Sequence, residues 1–439
     1  MNKIYANELN KHFGKKIEFS GFVDNIRDLQ WVQFVILRDS TGRVQVTIEK
    51  SEEKNKEMVE LISSLPLEST VKVTGVLMES PKVKLNGMEI IPESVEVTST
   101  SAGELPFNYK NLDGVNLDTR LENRFIDLRS DKNILLFKVQ TALVKYMREY
   151  LYNNDFTEIH TPKLIGAASE SGSEVFEVKY FDRLAYLAQS PQFYKQMAMA
   201  SGFSKVFEVG PTFRAENSNT SRHATEFTSF DVEFSYIDSY QDIMDLEEEM
   251  LKYAFDKLYE EYNDNVKEIF GDELPRIENE IPKITLSEAY QVIKENYGYD
   301  VEEAEKNDLT TEAERLVCKY AKEKLNSEFI FVTDYPDEKR PFYHMRDENG
   351  ILQGYDLLFR GVELTTGAQR EHRYEEIVKN ASLKGLGEDV QFYLEFFKYG
   401  CPPHGGFAIG IDRLTMLVLN IPSVKETEFI FRGPNNINP

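Results

Sequence analysis

Three side chains that can bind phosphate, and one carboxylate, surround one polar loop of the sequence. Arg214, Glu216, Arg222 and His223 lie in the run VFEVGPTFRAENSNTSRHATEFTSFDVEF, whose apolar ends predict a strand, a loop and a returning strand. Cations at both ends of such a loop suit a polyphosphate, because one guanidinium group can donate two parallel hydrogen bonds to a phosphate. Taken singly, each arginine would ordinarily be a surface cation, and His223 a capping or core histidine.

Arg413 is a further candidate phosphate ligand. It lies in residues 405–419, GGFAIGIDRLTMLVL, where a glycine-rich strand enters an apolar helix. An arginine held at that junction can make bidentate contacts to phosphate. A third block, FTEIHTPKL at residues 156–164, predicts a strand in which Pro162 marks an edge, and by itself it indicates no chemistry.

The residue spacing does not support metal binding by cysteine or histidine, or disulfide chemistry. The two cysteines, Cys318 and Cys401, lie far apart and lack a CxxC partner, so we predict reduced structural thiols. The histidines also lack the spacing of a zinc site.

The elements that must position these residues fall into two predicted domains. Residues 16–98 are short period-two runs with one helical interval, which predicts a five-stranded OB barrel in domain 1–99. Such barrels bind oligonucleotides, although a purely structural barrel fits the same pattern. Residues 100–129, rich in Gly, Asn and Asp, predict a linker or hinge. The second domain, residues 130–439, contains a helical, acidic stretch at about 240–325 that predicts a surface insertion.

The 439-residue chain carries 75 acidic and 51 basic side chains, a formal net charge of −24. Such acidity argues against a nucleic-acid partner unless it is localised. Residues 241–280 alone hold 14 acidic and four basic side chains, whereas the first fifty residues are net positive, so a polyanion can approach the N-terminal domain. Because the sequence has neither a long apolar run nor a signal-like N-terminus, we predict a cytoplasmic protein without membrane association.

The three blocks occur in the order of motifs 1, 2 and 3 of class II aminoacyl-tRNA synthetases, and the chain resembles that class along nearly its whole length. The segments SESGSEVFEVKYF, AQSPQFYKQM, YDLLFRGVELTTGAQREH and YGCPPHGGFAIGIDR resemble aspartyl-tRNA synthetases of the compact archaeal type. The resemblance implies an α+β fold, with an N-terminal OB barrel and an antiparallel catalytic sheet flanked by helices. It also implies a homodimer that uses ATP and Mg²⁺ to join L-aspartate to tRNA(Asp), with no DNA partner.

The resemblance assigns ATP binding to motifs 2 and 3. It implies that Arg214 contacts the α-phosphate, Glu216 meets the adenine edge and Phe227 stacks on the adenine ring. His223 and Arg413 would hold the terminal phosphates. Because negative charge builds on phosphate oxygens during attack at the α-phosphorus, positioned cations supply much of the stabilisation. The implied catalytic residues are Arg214, Arg413 and Glu363, and the implied ATP set is Arg214, Ala215, Glu216, Arg222, His223, Ala224, Phe227, Glu363, Gly410, Ile411, Asp412 and Arg413.

For the metal and the amino acid, the resemblance again names specific residues. Glu363 is the implied Mg²⁺ carboxylate, with the Thr366 hydroxyl close by where the family most often has Ser. Lys195 and Arg370 would bind the side-chain carboxylate of the substrate. Two cations there favour aspartate over asparagine, because neutral asparagine would leave buried positive charge uncompensated. A loop around residues 169–172 is expected to close over the substrate. The implied aspartate set is Glu170, Gln192, Phe193, Tyr194, Lys195, Arg214, Asp231, Thr366 and Arg370.

The same resemblance implies anticodon recognition by the N-terminal domain. Phe34 would stack on a base, Gln45 and Glu93 would bond base edges, and Arg27 would contact a base or the backbone, since unpaired RNA loops expose these groups. By strand pattern alone, the alternative is that Phe34 belongs to the barrel core.

The tRNA and amino-acid specificities stay open at this point. Asp24 replaces the family's discriminating aromatic, which favours charging of tRNA(Asn) as well, whereas Lys84 favours strict specificity for tRNA(Asp). Asparaginyl-tRNA synthetases share the motif 2 loop, so an asparaginyl enzyme is one alternative. A non-catalytic tRNA-binding paralogue is another. The C-terminal run FIFRGPNNINP departs from the family pattern, and Arg432 within it is a candidate ligand for phosphate or the tRNA acceptor end.

Overall fold

A computed structural model describes residues 4–168, 174–218, 220–302, 306–336, 340–386 and 390–438. The chain divides into two compact units, Met1–Leu112 and Asp113–Pro439.

The first unit is a closed five-stranded barrel with the strand order β1-β2-β3-β5-β4. Along β2 and β3, buried and half-buried residues alternate, which is the period of a strand with one face in a core. Phe34 lies on the half-buried outer face of β2 between the buried Gln33 and Val35, so the alternative that it is a barrel-core residue is wrong. The elements are a 3-10 turn (Ala6–Lys11), β1 (Lys16–Asp28), β2 (Val32–Arg38), β3 (Arg43–Glu49), a 3-10 turn (Glu53–Asn55), α1 (Lys56–Ser64), β4 (Thr70–Glu79) and β5 (Met88–Ser99).

A buried polar cluster ties the segment after β5 back onto the barrel. The Tyr109 hydroxyl donates to Glu68 at 2.6 Å, and Lys110 Nζ lies 3.0 Å from the Asp24 carboxylate. Arg38 pairs with both Asp24 and Glu68, so each buried acid has a cationic partner. Residues 100–112 therefore belong to the barrel unit.

The second unit is built on an eight-stranded sheet of order β12-β13-β14-β15-β16-β11-β10-β6, with a small sheet β7-β9-β8 beside it. Its strands are β6 (Thr157–Glu158), β7 (Leu164–Ile165), β8 (Glu177–Tyr180), β9 (Arg183–Leu187), β10 (Lys205–Phe213), β11 (Glu226–Ser235), β12 (Lys283–Thr285), β13 (Phe329–Thr333), β14 (Gly354–Phe359), β15 (Val362–Arg370) and β16 (His404–Gly410). Its helices are α2 (Leu117–Glu122), α3 (Arg124–Asp127), α4 (Asp131–Asn153), α5 (Gln192–Ala200), α6 (Gln241–Phe270), α7 (Leu286–Tyr297), α8 (Thr311–Lys324), α9 (Tyr374–Leu383), α10 (Gln391–Lys398), α11 (Ile411–Val418) and α12 (Val424–Thr427).

The central six strands, from β13 to β10, pair antiparallel, and the outer strands β12 and β6 join in parallel. This arrangement confirms the predicted α+β class of barrel plus helix-flanked sheet, and it adds the two parallel edges to the antiparallel sheet that was expected. No helix in the described ranges is long and apolar enough to cross a membrane.

The predicted surface insertion at about 240–325 is wrong for its longest helix. Helix α6 packs along α4 and buries Met250, Leu251 and Phe255 in the main core of this unit. Strand β12 also belongs to the central sheet. The acidic composition misleads because an amphipathic helix can carry many charges on one face while its apolar stripe is buried.

The predicted linker at residues 100–129 also differs from the structure in its second half. Helices α2 and α3 are held by buried ion pairs rather than by an apolar stripe: Arg120 pairs with Asp127 at 2.7 Å and with Glu426 at 2.8 Å. Arg124 donates to the backbone oxygens of Glu426 and Glu428. Helices of six and four residues are too short to show periodicity, which explains why the sequence predicts a linker.

Glu247 on α6 provides a test of how this core responds to pH. Burial raises the pKa of Glu247 to about 7 from 4.5, while the Tyr355 hydroxyl donates to its carboxylate at 2.7 Å. The folded state therefore binds the proton more tightly than the unfolded state, so the free energy of unfolding falls as pH rises from about 4.5 to about 7. We expect Glu247→Gln to equal the parent at about pH 4 and to exceed its stability by up to about 3 kcal/mol at pH 8.

Denaturant unfolding at the two pH values measures this difference. Glu249→Gln is the matched control, since Glu249 accepts a tyrosine hydroxyl on the exposed side of the same helix. Equal pH dependence of parent and Glu247→Gln would contradict the prediction.

Candidate active site

A pocket of about 460 Å³ in the second unit gathers most of the predicted site residues. Its walls come from strands β10, β11, β15 and β16, helices α5 and α11, and the loop between β10 and β11. The predicted residues that line it are Gln192, Lys195, Arg214, Glu216, Arg222, His223, Ala224, Phe227, Asp231, Glu363, Thr366, Arg370, Gly410, Asp412 and Arg413.

At one end of the pocket, two cations share a buried carboxylate. Glu233 is fully buried, with one oxygen 3.0 Å from Arg370 Nε and the other 3.4 Å from Lys195 Nζ. Lys195 also lies 3.0 Å from Asp231, whose other oxygen accepts the Ser229 hydroxyl. Burial alone would raise the pKa of Glu233, but Arg370 and Lys195 lower it below its usual value. Glu233 therefore stays ionised between two cations.

Strand β11 supplies this acidic pair because its residues alternate. Ser229, Asp231 and Glu233 point to the pocket face, while Phe230 and Val232 between them belong to the core. Gly406 on the neighbouring β16 lies opposite Glu233, and a Cβ there would meet Val232 O and a Glu233 carboxylate oxygen at less than 3.0 Å. The glycine-rich strand therefore lets two strands and a buried carboxylate approach closely.

The other end of the pocket carries positive charge. Arg413, at the start of α11, donates to the backbone oxygen of Glu363 at 3.0 Å. Arg214 lies over the Phe227 ring at 5.5 Å, and its buried Nε has no hydrogen-bond partner among the described residues. Arg222 pairs with Glu314 on α8 at 3.3 Å. An arginine over an aromatic ring, with further arginines in the same pocket, suits a ligand with both an anionic and a planar part.

The pKa values of His223 and Glu314 are shifted in opposite directions, in both cases chiefly by burial. Burial, and then the charge of Arg413, lower the pKa of His223. Burial, and then the charge of Glu363, raise the pKa of Glu314 to about 7. In both groups burial disfavours the charged form.

Glu363 and Thr366 form an oxygen-rich corner. The Thr366 hydroxyl lies 3.1 Å from a Glu363 carboxylate oxygen and 2.9 Å from Asp356 Oδ1. Arg340 holds Asp356 with two bonds, at 3.0 and 2.6 Å. Burial and the nearby Asp356 raise the pKa of Glu363. Within the described ranges, no group of three His, Cys, Asp or Glu side chains could hold a metal ion by itself.

The structure places four predicted site residues away from the pocket lining. Phe193 packs in an aromatic cluster with Phe392 and Tyr393, and Ile411 belongs to the core of the unit. Tyr194 and Ala215 also lie outside the lining. Because α5 turns by about 100° per residue, Gln192 and Lys195 face the pocket whereas the two residues between them do not. Glu170 and the loop predicted to close over the substrate, at 169–172, lie outside the described residues.

Sequence reasoning missed several residues of the site. Glu233 carried a usable signal, since it follows Asp231 at the strand period. Asp356 stands as a lone acid in the apolar strand YDLLF, which is a second signal. Arg340, Tyr343 and His344 come from an irregular segment whose position the local pattern does not indicate.

On the barrel, the outer face of β2 and β3 brings together most of the predicted anticodon residues. Arg27 lies opposite Phe34, and Gln45 lies opposite Glu89 of β5. Glu89 accepts a bond from Thr47 and lies 3.5 Å from Gln45 Nε2. Glu93 is farther along β5 and pairs with Lys16, so the structure puts Glu89, rather than the predicted Glu93, beside Gln45.

The turn between β1 and β2 adds one feature to the barrel. It holds Trp31, the chain's single tryptophan, with 70% of the side chain exposed.

Comparison with known proteins agrees with these two units. Residues 116–431 match the family described as tRNA synthetases class II (D, K and N), and residues 17–98 match the OB-fold nucleic acid binding domain. The chain belongs to this family of class II tRNA synthetases. The synthetase is accordingly an aminoacyl-tRNA ligase of an ATP-dependent family.

Similar proteins match the synthetase over its whole length. It is 42% identical to the aspartate–tRNA(Asp/Asn) ligase of Aeropyrum pernix, covering 97% of this chain and 96% of that one. It is 40% identical to the aspartate–tRNA(Asp) ligase of Pyrococcus furiosus, covering 99% of each. The solved aspartyl-tRNA synthetase of Entamoeba histolytica superposes with a TM-score of 0.87 at 33% identity, covering 100% of this chain and 93% of that one.

Gly406→Ala tests the close approach of β11 and β16 in the synthetase. The added methyl group must displace Val232 O and the Glu233 carboxylate, so we expect a loss of about 1–3 kcal/mol in the free energy of unfolding. Gly166→Ala is the control, because a Cβ there meets nothing within 4 Å. Thermal or denaturant unfolding measures both variants. Equal stability of the two would show that the strands accommodate the methyl group.

Proposed function

We propose that the protein is an aspartate–tRNA ligase. It activates L-aspartate with ATP to aspartyl-adenylate and transfers the aspartyl group to the 3′ end of tRNA. The observation that carries this proposal is the pair of buried cations, Lys195 and Arg370, on either side of Glu233. They lie in the same pocket as Arg214, Arg222 and Arg413, the arginines proposed to bind phosphate. The names of the full-length relatives agree with it.

The buried charges favour aspartate over asparagine. Lys195 and Arg370 carry two positive charges, and Glu233 and Asp231 carry two negative ones. In this proposal Asp231 serves the ammonium group of the substrate, so Glu233 balances one of the two cations and the other is left. The side-chain carboxylate of aspartate supplies the negative charge for that cation, whereas the amide of asparagine supplies none. Asp231, Gln192 and Glu170 serve the α-amino end in this proposal.

Activation joins the α-carboxylate of aspartate to the α-phosphorus of ATP, and pyrophosphate leaves. Arg214 neutralises charge on the α-phosphate and Phe227 stacks on the adenine ring, in keeping with the guanidinium–ring contact between them. Arg222, His223 and Arg413 hold the terminal phosphates. A hydroxyl at the 3′ end of the tRNA then attacks the aspartyl carbonyl, and AMP leaves.

The corner formed by Glu363 and Thr366 fits Mg²⁺. Its donors are a carboxylate and a hydroxyl, which are the oxygen ligands that Mg²⁺ prefers, and ATP phosphates and water commonly complete such sites. When bound, the ion would offset negative charge on the phosphates.

The barrel reads the anticodon through its outer face. Phe34 stacks on a base, Gln45 and Glu89 bond base edges, and Arg27 contacts the RNA backbone or a base. We further propose a cytoplasmic homodimer.

A second candidate activity is charging of tRNA(Asn) with aspartate. The residue expected to discriminate, Asp24, is buried and ion-paired to Arg38, Arg43 and Lys110. It therefore offers the RNA neither an aromatic ring nor a free carboxylate, which supports relaxed reading of the third anticodon base.

Amino-acid-dependent exchange of pyrophosphate into ATP tests the activation step. The parent protein should catalyse exchange with aspartate much faster than with asparagine. Arg214→Ala should lower the rate by about 100-fold or more, because it removes the cation at the developing charge. Arg276→Ala, an exposed arginine paired with Asp256 outside this pocket, is the matched control. Exchange with asparagine alone, or with neither amino acid, would overturn the proposal.

Charging of purified tRNA(Asp) and tRNA(Asn) with labelled aspartate tests the barrel. We expect both tRNAs to be charged, and we expect Gln45→Ala and Glu89→Ala to lower kcat/KM for tRNA by roughly 10- to 100-fold without changing exchange. Glu93→Ala, the control, should leave charging near the parent value. Charging of tRNA(Asp) alone would remove the second activity, and a larger effect of Glu93→Ala than of Glu89→Ala would reverse the assignment of the two acids.

A further inference from the structure

His344 forms one wall of the pocket next to the proposed side-chain clamp. Its ring is 3% exposed, and its Nε2 lies 2.8 Å from Arg370 Nη1. The backbones of the two residues form an isolated antiparallel bridge, and Arg346 Nη1 donates to the His344 backbone oxygen at 2.8 Å. His344 and Arg370 are therefore held together through both backbone and side chain.

The bond to Arg370 fixes the protonation state of the ring. A guanidinium nitrogen can only donate, so Nε2 must accept and the ring's proton must lie on Nδ1. Burial, and then the charges of Arg370, Arg340, Arg346 and Lys195, hold the pKa of His344 well below its usual value. His344 is thus a neutral hydrogen-bond acceptor among cations.

Arg370 is consequently oriented from several sides by partners of different charge. Glu233 accepts from Nε, the Gly406 backbone oxygen accepts from Nη2 at 2.9 Å, and His344 accepts from Nη1. Only the first of these acceptors is anionic. A carboxylate in the place of His344 would neutralise the guanidinium a second time, so the neutral imidazole orients Arg370 without consuming its charge.

The free-energy cost of burying a polar ring at this position also argues against a role of His344 in packing alone. Its Nδ1 is buried and has no hydrogen-bond partner among the described residues. An apolar side chain of similar volume would avoid burying an unsatisfied polar atom.

We propose that His344 is a positioning residue that sets the selectivity for aspartate, by fixing Arg370 through a neutral acceptor. The inference rests on the proposed function, since it assigns the side-chain carboxylate of aspartate to Lys195 and Arg370. In this role His344 keeps one positive charge of the clamp for the substrate, and it directs the guanidinium plane toward the position of the substrate carboxylate.

Three substitutions separate orientation from charge. His344→Gln places an amide oxygen near the position of Nε2 and keeps a neutral acceptor. His344→Glu has the same shape as His344→Gln and adds a negative charge. His344→Leu removes the acceptor and keeps an apolar volume. Pyrophosphate exchange is measured for each variant with aspartate and with asparagine, and KM for ATP is measured alongside.

The expected results differ among the three variants. His344→Leu should raise KM for aspartate by about 10-fold with KM for ATP unchanged, and His344→Gln should recover most of that loss. His344→Glu should lower the ratio of aspartate to asparagine exchange by about 100-fold relative to His344→Gln. Partial misfolding lowers exchange with both amino acids equally, so the ratio reports on selectivity alone.

Two outcomes would overturn the role of His344. One is an equal ratio for His344→Gln and His344→Glu, and the other is an unchanged KM for aspartate in His344→Leu. Absence of aspartate-dependent exchange in the parent protein would instead overturn the proposed function, so the two failures are distinguishable.

Discussion

The buried carboxylate of Glu233 is the interaction on which the catalytic unit depends. Removing two cations and an acid from water is costly, and the cost is offset only when their geometry satisfies each charge. Glu233 meets Arg370 on one side and Lys195 on the other, while β16 passes close enough to leave no room for a side chain at Gly406. The register of β11, β15 and β16 is thereby tied to a single network of charges.

That network gives the pocket two ends of different character. At the Glu233 end, the protein itself matches Lys195 and Arg370 with Glu233 and Asp231. At the other end, Arg214, Arg222 and Arg413 lie close enough for their charges to act on one another, with Glu216, Glu314 and Glu363 among them. An elongated ligand with a carboxylate at one end and several phosphates at the other complements this arrangement. In the proposed function, the distribution of charge along the pocket sets the direction in which the two substrates bind.

Alternation and motif order predicted much of the fold and of this site. The barrel strands, the polar loop of motif 2 and the position of Arg413 follow from local pattern, because each depends on neighbours in sequence. The resemblance to the family predicted Lys195 and Arg370 as site residues. The local sequence pattern alone does not show that they lie together. What escaped prediction depends on distant contacts: the aromatic environment of Phe193, the packing of α6 against α4, and the segment that carries Arg340 and His344.

The anticodon face shows the same limit at smaller scale. Glu89 and Glu93 lie on the same strand at positions that face the same side, so the two-residue period of the strand does not tell which of them lies beside Gln45. Only the pairing of β3 with β5 puts Glu89 opposite Gln45.

The exposed Trp31 gives the barrel an optical signature of its own. Because the chain has a single tryptophan, indole emission originates entirely from the barrel unit, while the catalytic unit contributes only tyrosine and phenylalanine absorption. Unfolding followed by tryptophan emission therefore reports on the barrel, and circular dichroism of the helices reports chiefly on the other unit. The molecule thus carries a built-in means of measuring whether its RNA-reading and chemical halves unfold as one cooperative body or as two.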